Sequence, residues 1–138
     1  MTNKSVYLST INGSYSFITH SDEHNKEYYK KFTEAIKTLC EGILDFVNIN
    51  HDLIRRVKIT PRIEIGGERK HLHAHILFVF EHDSKAFRLD YPKFRAKVIS
   101  LIGGNPHINH RRVNARTYEQ QIGDIDSYIN KMTAGYNP

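Results

Sequence analysis

The chain predicts an α+β fold: a split β-α-β sandwich with a central antiparallel sheet backed by two helices. Three observations lead there. Apolar residues switch between two spacings along the chain, alternating near 6–10, 53–65, 70–80 and 107–115 and stepping helically over 24–47 and from about 91 to 102. Gly66-Gly67 separates two of the alternating runs and reads as a hairpin turn. The two amphipathic helices each bring an apolar face, and one sheet face is what covers both. With 138 residues the chain suffices for one domain and one core, and is short for two ordinary domains.

Taken in order, Val6-Tyr7-Leu8-Ser9-Thr10 is the first strand. Asn12-Gly13 is a tight-turn signal, and two readings fit: a small hairpin with 14–19, or one strand running into a loop. Ser21 or Asp22 caps the next element. Tyr28, Phe32, Ala35, Ile36, Leu39, Cys40, Ile43, Leu44 and Val47 then form the apolar stripe of a long helix over 24–47. Residues 48–52 are a loop, and 53–65 a strand with Val57, Ile59 and Pro61 on one face and Lys58, Thr60, Arg62 and Glu64 on the other. Pro61 gives that strand a free edge or a bulge. It and the following strand, 70–80, are expected to form the centre of the sheet. Residues 81–90 are a polar loop. Tyr91-Pro92-Lys93 opens a second helix, with Phe94, Val98, Leu101 and Ile102 as its stripe, and Gly103-Gly104-Asn105-Pro106 stops it. A short polar strand follows over 107–115, then a last helix near 124–132. The whole is of the ferredoxin or RRM-like kind, one domain over residues 1–138.

Composition narrows the function classes. No apolar run is long enough to span a bilayer, and Met1-Thr2-Asn3-Lys4 lacks a signal-peptide core. The single cysteine, Cys40, lies on the apolar helix face, reads as core and forms no internal disulfide; a reducing, intracellular setting fits. The formal net charge of +5 favours an anionic partner such as nucleic acid. Much of that charge lies on or beside the strands: Arg55, Arg56, Lys58, Arg62, Arg69, Lys70, Arg111, Arg112 and Arg116.

The chemistry concentrates in Lys70-His71-Leu72-His73-Ala74-His75-Ile76-Leu77-Phe78-Val79-Phe80. On a strand, His71, His73 and His75 share one face while Leu72, Ala74, Ile76, Phe78 and Phe80 share the other. If the preceding turn centres on Gly67-Glu68, Glu64 lies opposite His71. A carboxylate with two or three imidazoles is a divalent-metal set. The carboxylate favours Mg²⁺ or Mn²⁺, and the imidazoles tilt the preference toward Mn²⁺. Downstream, Tyr128 and Lys131 are three apart on the last helix and face one way. A tyrosine with a pKa of about 10 is a poor nucleophile until a cation lowers the cost of its phenolate.

The alternating histidines on a central strand, with Tyr128-x-x-Lys131 on a later helix, resemble the HUH endonucleases of the rolling-circle replication initiator (Rep) type, single-strand DNA nickases of viruses and plasmids. The resemblance follows the element order through nearly the whole chain, while these two motifs carry it. Either His73-Ala74-His75 or His71-Leu72-His73 supplies the pair. Glu64 is the third ligand and Glu68 the fallback, and Tyr7-Leu8-Ser9-Thr10 stands where the family has an apolar strand ending in Thr. The resemblance implies a Mn²⁺- or Mg²⁺-dependent enzyme that nicks and rejoins single-stranded DNA, at an origin hairpin, to initiate rolling-circle replication. Tyr128 is the implied nucleophile, holding the 5′ end as a phosphotyrosine, and Lys131 its helper. Arg62, Lys70, Arg111, Arg112 and Arg116 are expected along the DNA backbone, with Tyr15, Phe17 or His107 stacking on bases. Many relatives carry a helicase domain beyond the nickase. The chain is read here either as an excised nuclease domain or as a small protein that borrows a host helicase. Three other readings remain open: a single-tyrosine transposase of the same superfamily, a non-catalytic domain that binds RNA or single strands by stacking, and a structural protein whose histidines bind a metal that stabilises the fold.

Overall fold

In the computed structural model, residues 2–114 are described. They run β1 (Asn3–Ser16), α1 (Asp22–Glu41), β2 (Ile54–Gly66), β3 (His71–His82), α2 (Tyr91–Ile102) and β4 (His107–Val113). The fold is α+β: a four-stranded sheet in the order β2-β3-β1-β4, every neighbouring pair antiparallel, with two helices. The expected helix at 124–132 lies outside the described residues.

The helix boundaries follow from capping. Ser21 accepts a hydrogen bond from the His24 amide at the start of α1, and Asp90 does the same for Lys93 at the start of α2, where Pro92 sits in the first turn. Gly103, at φ 80°, ends α2. α1 stops at Glu41, well before the expected Val47. Gly42 closes it by returning its N–H to Thr38 and Cys40, and Ile43–Phe46 form a 3₁₀ turn. The apolar spacing survives that change, because Ile43 and Phe46 stay buried, so periodicity alone overshoots the helix end.

Three strand expectations change. The pair at the centre of the sheet is β3 with β1, and β2 is an edge, which suits Pro61 and its missing N–H. β1 runs straight through Asn12-Gly13, with a register shift between Asn12 and Ser16 and Ser14 at φ 59°, so the segment is a bulge and no hairpin. Residues 81–90 are no simple polar loop. β3 extends to His82, Leu89 bridges Val47, and Phe87 and Leu89 are buried.

The core lies between one sheet face and the helices. Leu72, Ala74, Ile76, Phe78 and Phe80 are each 0% exposed, as the period of two requires. They pack with Phe32, Ala35, Ile36 and Leu39 of α1 and Phe94, Val98 and Ile102 of α2. Phe78 and Phe94 meet edge to face at 6.0 Å. Cys40 is half-buried against this core, and burial pushes its thiol up to about 11. Among the described residues no helix is long and apolar enough to cross a membrane. The opposite sheet face carries a smaller buried cluster, Val6, Leu8, Leu77, Val79 and Val113, and beside it the histidines.

Candidate functional site

Strand register builds the site in cross-strand rows. Glu64, His73, Asn12 and His107 form one row across β2, β3, β1 and β4; Arg62, His75, Thr10 and Asn109 form the next. All point to the face away from the two helices, because each row keeps the parity of the pleat. Beyond them come Thr60, Leu77, Leu8 and Arg111, where the small apolar cluster begins.

Glu64 pairs with His73 across the ladder, two residues on from the expected His71. The cause is the turn: residues 67–70 make a four-residue connection closed by the Gly66–His71 pair, with Gly67 at φ 82° and Lys70 at φ 48°. A shift of two keeps every side chain on its face, so the carboxylate still meets imidazoles. Its Oε1 lies 2.8 Å from His75 Nε2, and the two residues are 7% and 3% exposed. Water is scarce there, so the pair's electrostatics are strong. His71 lies at the strand end, its ring 6.5 Å from that of His73. Glu68 is exposed in the turn.

The partners behind the histidines come from β1, which sequence reasoning missed. Thr10 Oγ1 is 3.2 Å from His75 Nδ1, and Asn12 Nδ2 donates to His73 Nε2 at 3.1 Å. The Thr10 signal was present as the Thr that closes the first apolar strand. What the sequence hides is that β1 lies beside β3. His73 Nδ1 is buried with no hydrogen-bond partner. A Cβ on Gly66 would stand 3.7 Å from Glu64 Oε1 and 3.8 Å from that Nδ1, so the glycine leaves a small hollow between the two groups. Burial lowers the His73 pKa, against an upward pull from Glu64, with smaller downward pushes from the His75 and His71 rings and a small upward one from the His71 backbone.

Glu64 Oε1 and His73 Nδ1 thus border the hollow, and His75 Nε2 meets the same Glu64 oxygen. As placed, no three His, Cys, Asp or Glu side chains among the described residues converge on a single metal position. The donor chemistry nevertheless fits a hard divalent ion. The 2.8 Å contact between Glu64 Oε1 and His75 Nε2 is a hydrogen bond, whose proton a bound ion would displace. Thr10 can then accept the Nδ1 proton of His75, which puts the ring's lone pair on Nε2, the nitrogen that meets Glu64.

The other expected site residues divide. Arg62 lies on the histidine face beside His75, and Arg111 is exposed on the same face. Arg112 does not join them: it points to the helix side, where it donates to Ser5 Oγ at 3.1 Å and lies over the Tyr7 ring. Alternate residues of a strand face opposite ways, so Arg111 and Arg112 cannot both line the site. Lys70 is exposed in the β2–β3 turn, at a cleft of about 490 Å³ with Phe17, Ile18, Gly66 and Gly67. Of the stacking residues, Tyr15 has both ring faces covered, by His20 at 4.2 Å and Tyr28 at 3.9 Å, and Phe17 is buried in the core. His107 is exposed on the histidine face. Tyr128, Lys131 and Arg116 lie outside the described residues.

Compared with known proteins, the chain matches no family model and no curated protein. A solved structure titled "De novo designed protein Foldit4" is similar at 14% sequence identity and a TM-score of 0.35, over 83% of this chain and 100% of that one.

Proposed function

We propose that the protein is a Mn²⁺- or Mg²⁺-dependent, site-specific single-stranded DNA nickase and strand-joining enzyme of the HUH Rep type. It acts inside a host cell to initiate rolling-circle replication. The observation that carries this reading is the placement of Glu64, His73 and His75 together on one sheet face, with Glu64 paired to His73 across the ladder and its Oε1 2.8 Å from His75 Nε2. The strand order β2-β3-β1-β4 with an intervening α1 and α2 supports the finer reading of the fold as a split β-α-β sandwich.

Glu64, His73 and His75 would hold the divalent ion, with His71 at the strand end as a further imidazole. When bound, the ion supplies Lewis acidity toward a phosphate oxygen. The protein's own groups do the rest. Arg62 and Arg111 on the histidine face, and Lys70 at its turn, hold the DNA backbone beside the ligands. His107 offers an exposed ring to a base. Tyr128 attacks the scissile phosphorus: its phenolate oxygen forms the new P–O bond, the bond to the 3′-oxygen breaks, and that oxygen leaves as a hydroxyl after taking a proton. Lys131 neutralises charge on the transferring phosphate. The phosphotyrosine keeps the energy of the broken ester, so a 3′-hydroxyl returning to it rejoins the strand. Strand separation beyond the nick falls to a helicase, encoded with the protein or taken from the host.

The test uses a labelled library of single-stranded hairpin oligonucleotides with Mn²⁺, read as a protein–DNA adduct on a denaturing gel. The expected result is an adduct that Tyr128→Phe abolishes and that Glu64→Gln and His73→Ala reduce at least about 100-fold. Retention of DNA by the wild-type protein with no adduct from any hairpin overturns the proposal in favour of a non-catalytic single-strand binding domain.

A further inference from the structure

The Asn12-Gly13 pair has the chemistry of a turn and sits in the middle of a strand. β1 holds register with β3 through the Asn12–His73 pair, loses it, and regains it only at Ser16–His71. The interruption is a bulge, a device that re-aims a side chain without ending the strand. Here it fixes both ends of the Asn12 amide. Ser14, at φ 59°, turns its backbone N–H to donate to Asn12 Oδ1 at 2.8 Å. With Oδ1 so engaged, Nδ2 faces His73 Nε2 at 3.1 Å. An amide nitrogen only donates, so Nε2 accepts, and in the neutral ring Nδ1 carries the proton. That N–H is buried, lacks a partner, and borders the hollow beside Glu64 and Gly66.

We infer that Asn12 is a positioning residue, presented by the β1 bulge, which holds His73 in one ring orientation and in its Nδ1–H tautomer. The metal-free site therefore offers a buried donor to whatever enters the hollow. A phosphate oxygen meets it directly. A divalent ion takes that nitrogen only when the proton passes to Nε2 and the amide turns to present Oδ1. Thr10 plays the simpler part for His75, since a hydroxyl both donates and accepts and imposes neither tautomer. Gly13 belongs to the same device: a Cβ there would overlap the Tyr28 hydroxyl. The role of the hollow rests on the function proposed above; the tautomer assignment does not.

Long-range ¹H–¹⁵N spectra of the histidine rings, recorded on the full chain without metal at pH 7.5, decide it. The wild type is expected to show His73 with its proton on Nδ1. In Asn12→Asp the carboxylate can only accept, so the proton moves to Nε2 while the His75 signals stay in place. Asn12→Ala releases the ring into exchange between the two forms. A purely structural role predicts changed thermal stability with an unchanged His73 tautomer. That result overturns the inference, as does an Nδ1–H form in Asn12→Asp. Adding Mg²⁺ separates the two readings. If the tautomers follow the expected pattern but Mg²⁺ leaves His73 of the wild type unmoved, the metal reading fails and the role of Asn12 stands.

Discussion

Among the buried histidines, His82 shows most simply how a neighbour dictates a proton. It is 2% exposed; the Ser84 amide donates to its Nδ1 at 3.2 Å, so Nε2 carries the proton and donates to Ser5 Oγ at 2.9 Å. A second proton would displace the Ser84 bond. Burial, then Arg112, lowers its pKa; burial likewise lowers those of His73 and His110. The sign follows from linkage. Each of the three binds its proton more readily in the unfolded chain, where the value is about 6.5. Stability is therefore complete above that pH and is lost as pH falls from there toward the lower folded-state values. Thermal unfolding followed by circular dichroism should show a midpoint that is level above pH 7 and falls as the pH drops below about 6.5. A midpoint that rose there would contradict the lowered values.

At the scale of elements, β1 carries the most specific prediction. Tyr28 of α1 presses its hydroxyl against Gly13 of the bulge, and that hydroxyl is buried without a hydrogen-bond partner. Burial, with Tyr15 adding to it, pushes its pKa up to about 12. Gly13→Ala should destabilise the fold by about 1–3 kcal/mol through overpacking. Tyr28→Phe removes an unsatisfied polar atom and should be neutral or mildly stabilising. The double variant should recover part of the loss, because the overlap with the hydroxyl goes and the methyl then meets only ring carbons of residues 28 and 32 at 3.3 and 3.4 Å. Urea unfolding of the four proteins closes this cycle, and strict additivity would refute the contact. The tight-turn chemistry at Asn12-Gly13 was legible, but its use was not: a turn residue reports the local backbone shape, whereas the choice between hairpin and bulge depends on which strand lies alongside.

For the whole molecule, the sheet has two unlike faces, and the proposed DNA binding should respect that difference. Arg62 and Arg111 share the histidine face, while Arg112 points toward the helices. Affinity for single-stranded DNA should fall with salt, each phosphate contact adding about −0.7 to the slope of log K against log salt. Arg62→Ala and Arg111→Ala should each lower the magnitude of that slope by about 0.7, and Arg112→Ala should leave it unchanged. Fluorescence anisotropy across a salt series measures all three. An equal loss from Arg112→Ala would mean that the strand does not lie on the histidine face.

The sequence by itself determined whatever depends on period and local chemistry. The alternation in 70–80 assigned its histidines and its core residues to opposite faces. A cap at Ser21 or Asp22, the glycine stop after α2 and the need of Pro61 for a free edge or a bulge were equally local. Only the tertiary structure decided which strands are neighbours: that β1 lies against β3, that Glu64 meets His73 and His75, and that Thr10 and Asn12 stand behind the rings. The reason is physical. Side-chain direction repeats every two residues and is written into each strand, whereas register and partner are set by turn length and by burial summed over the whole sheet, quantities to which no single segment has access.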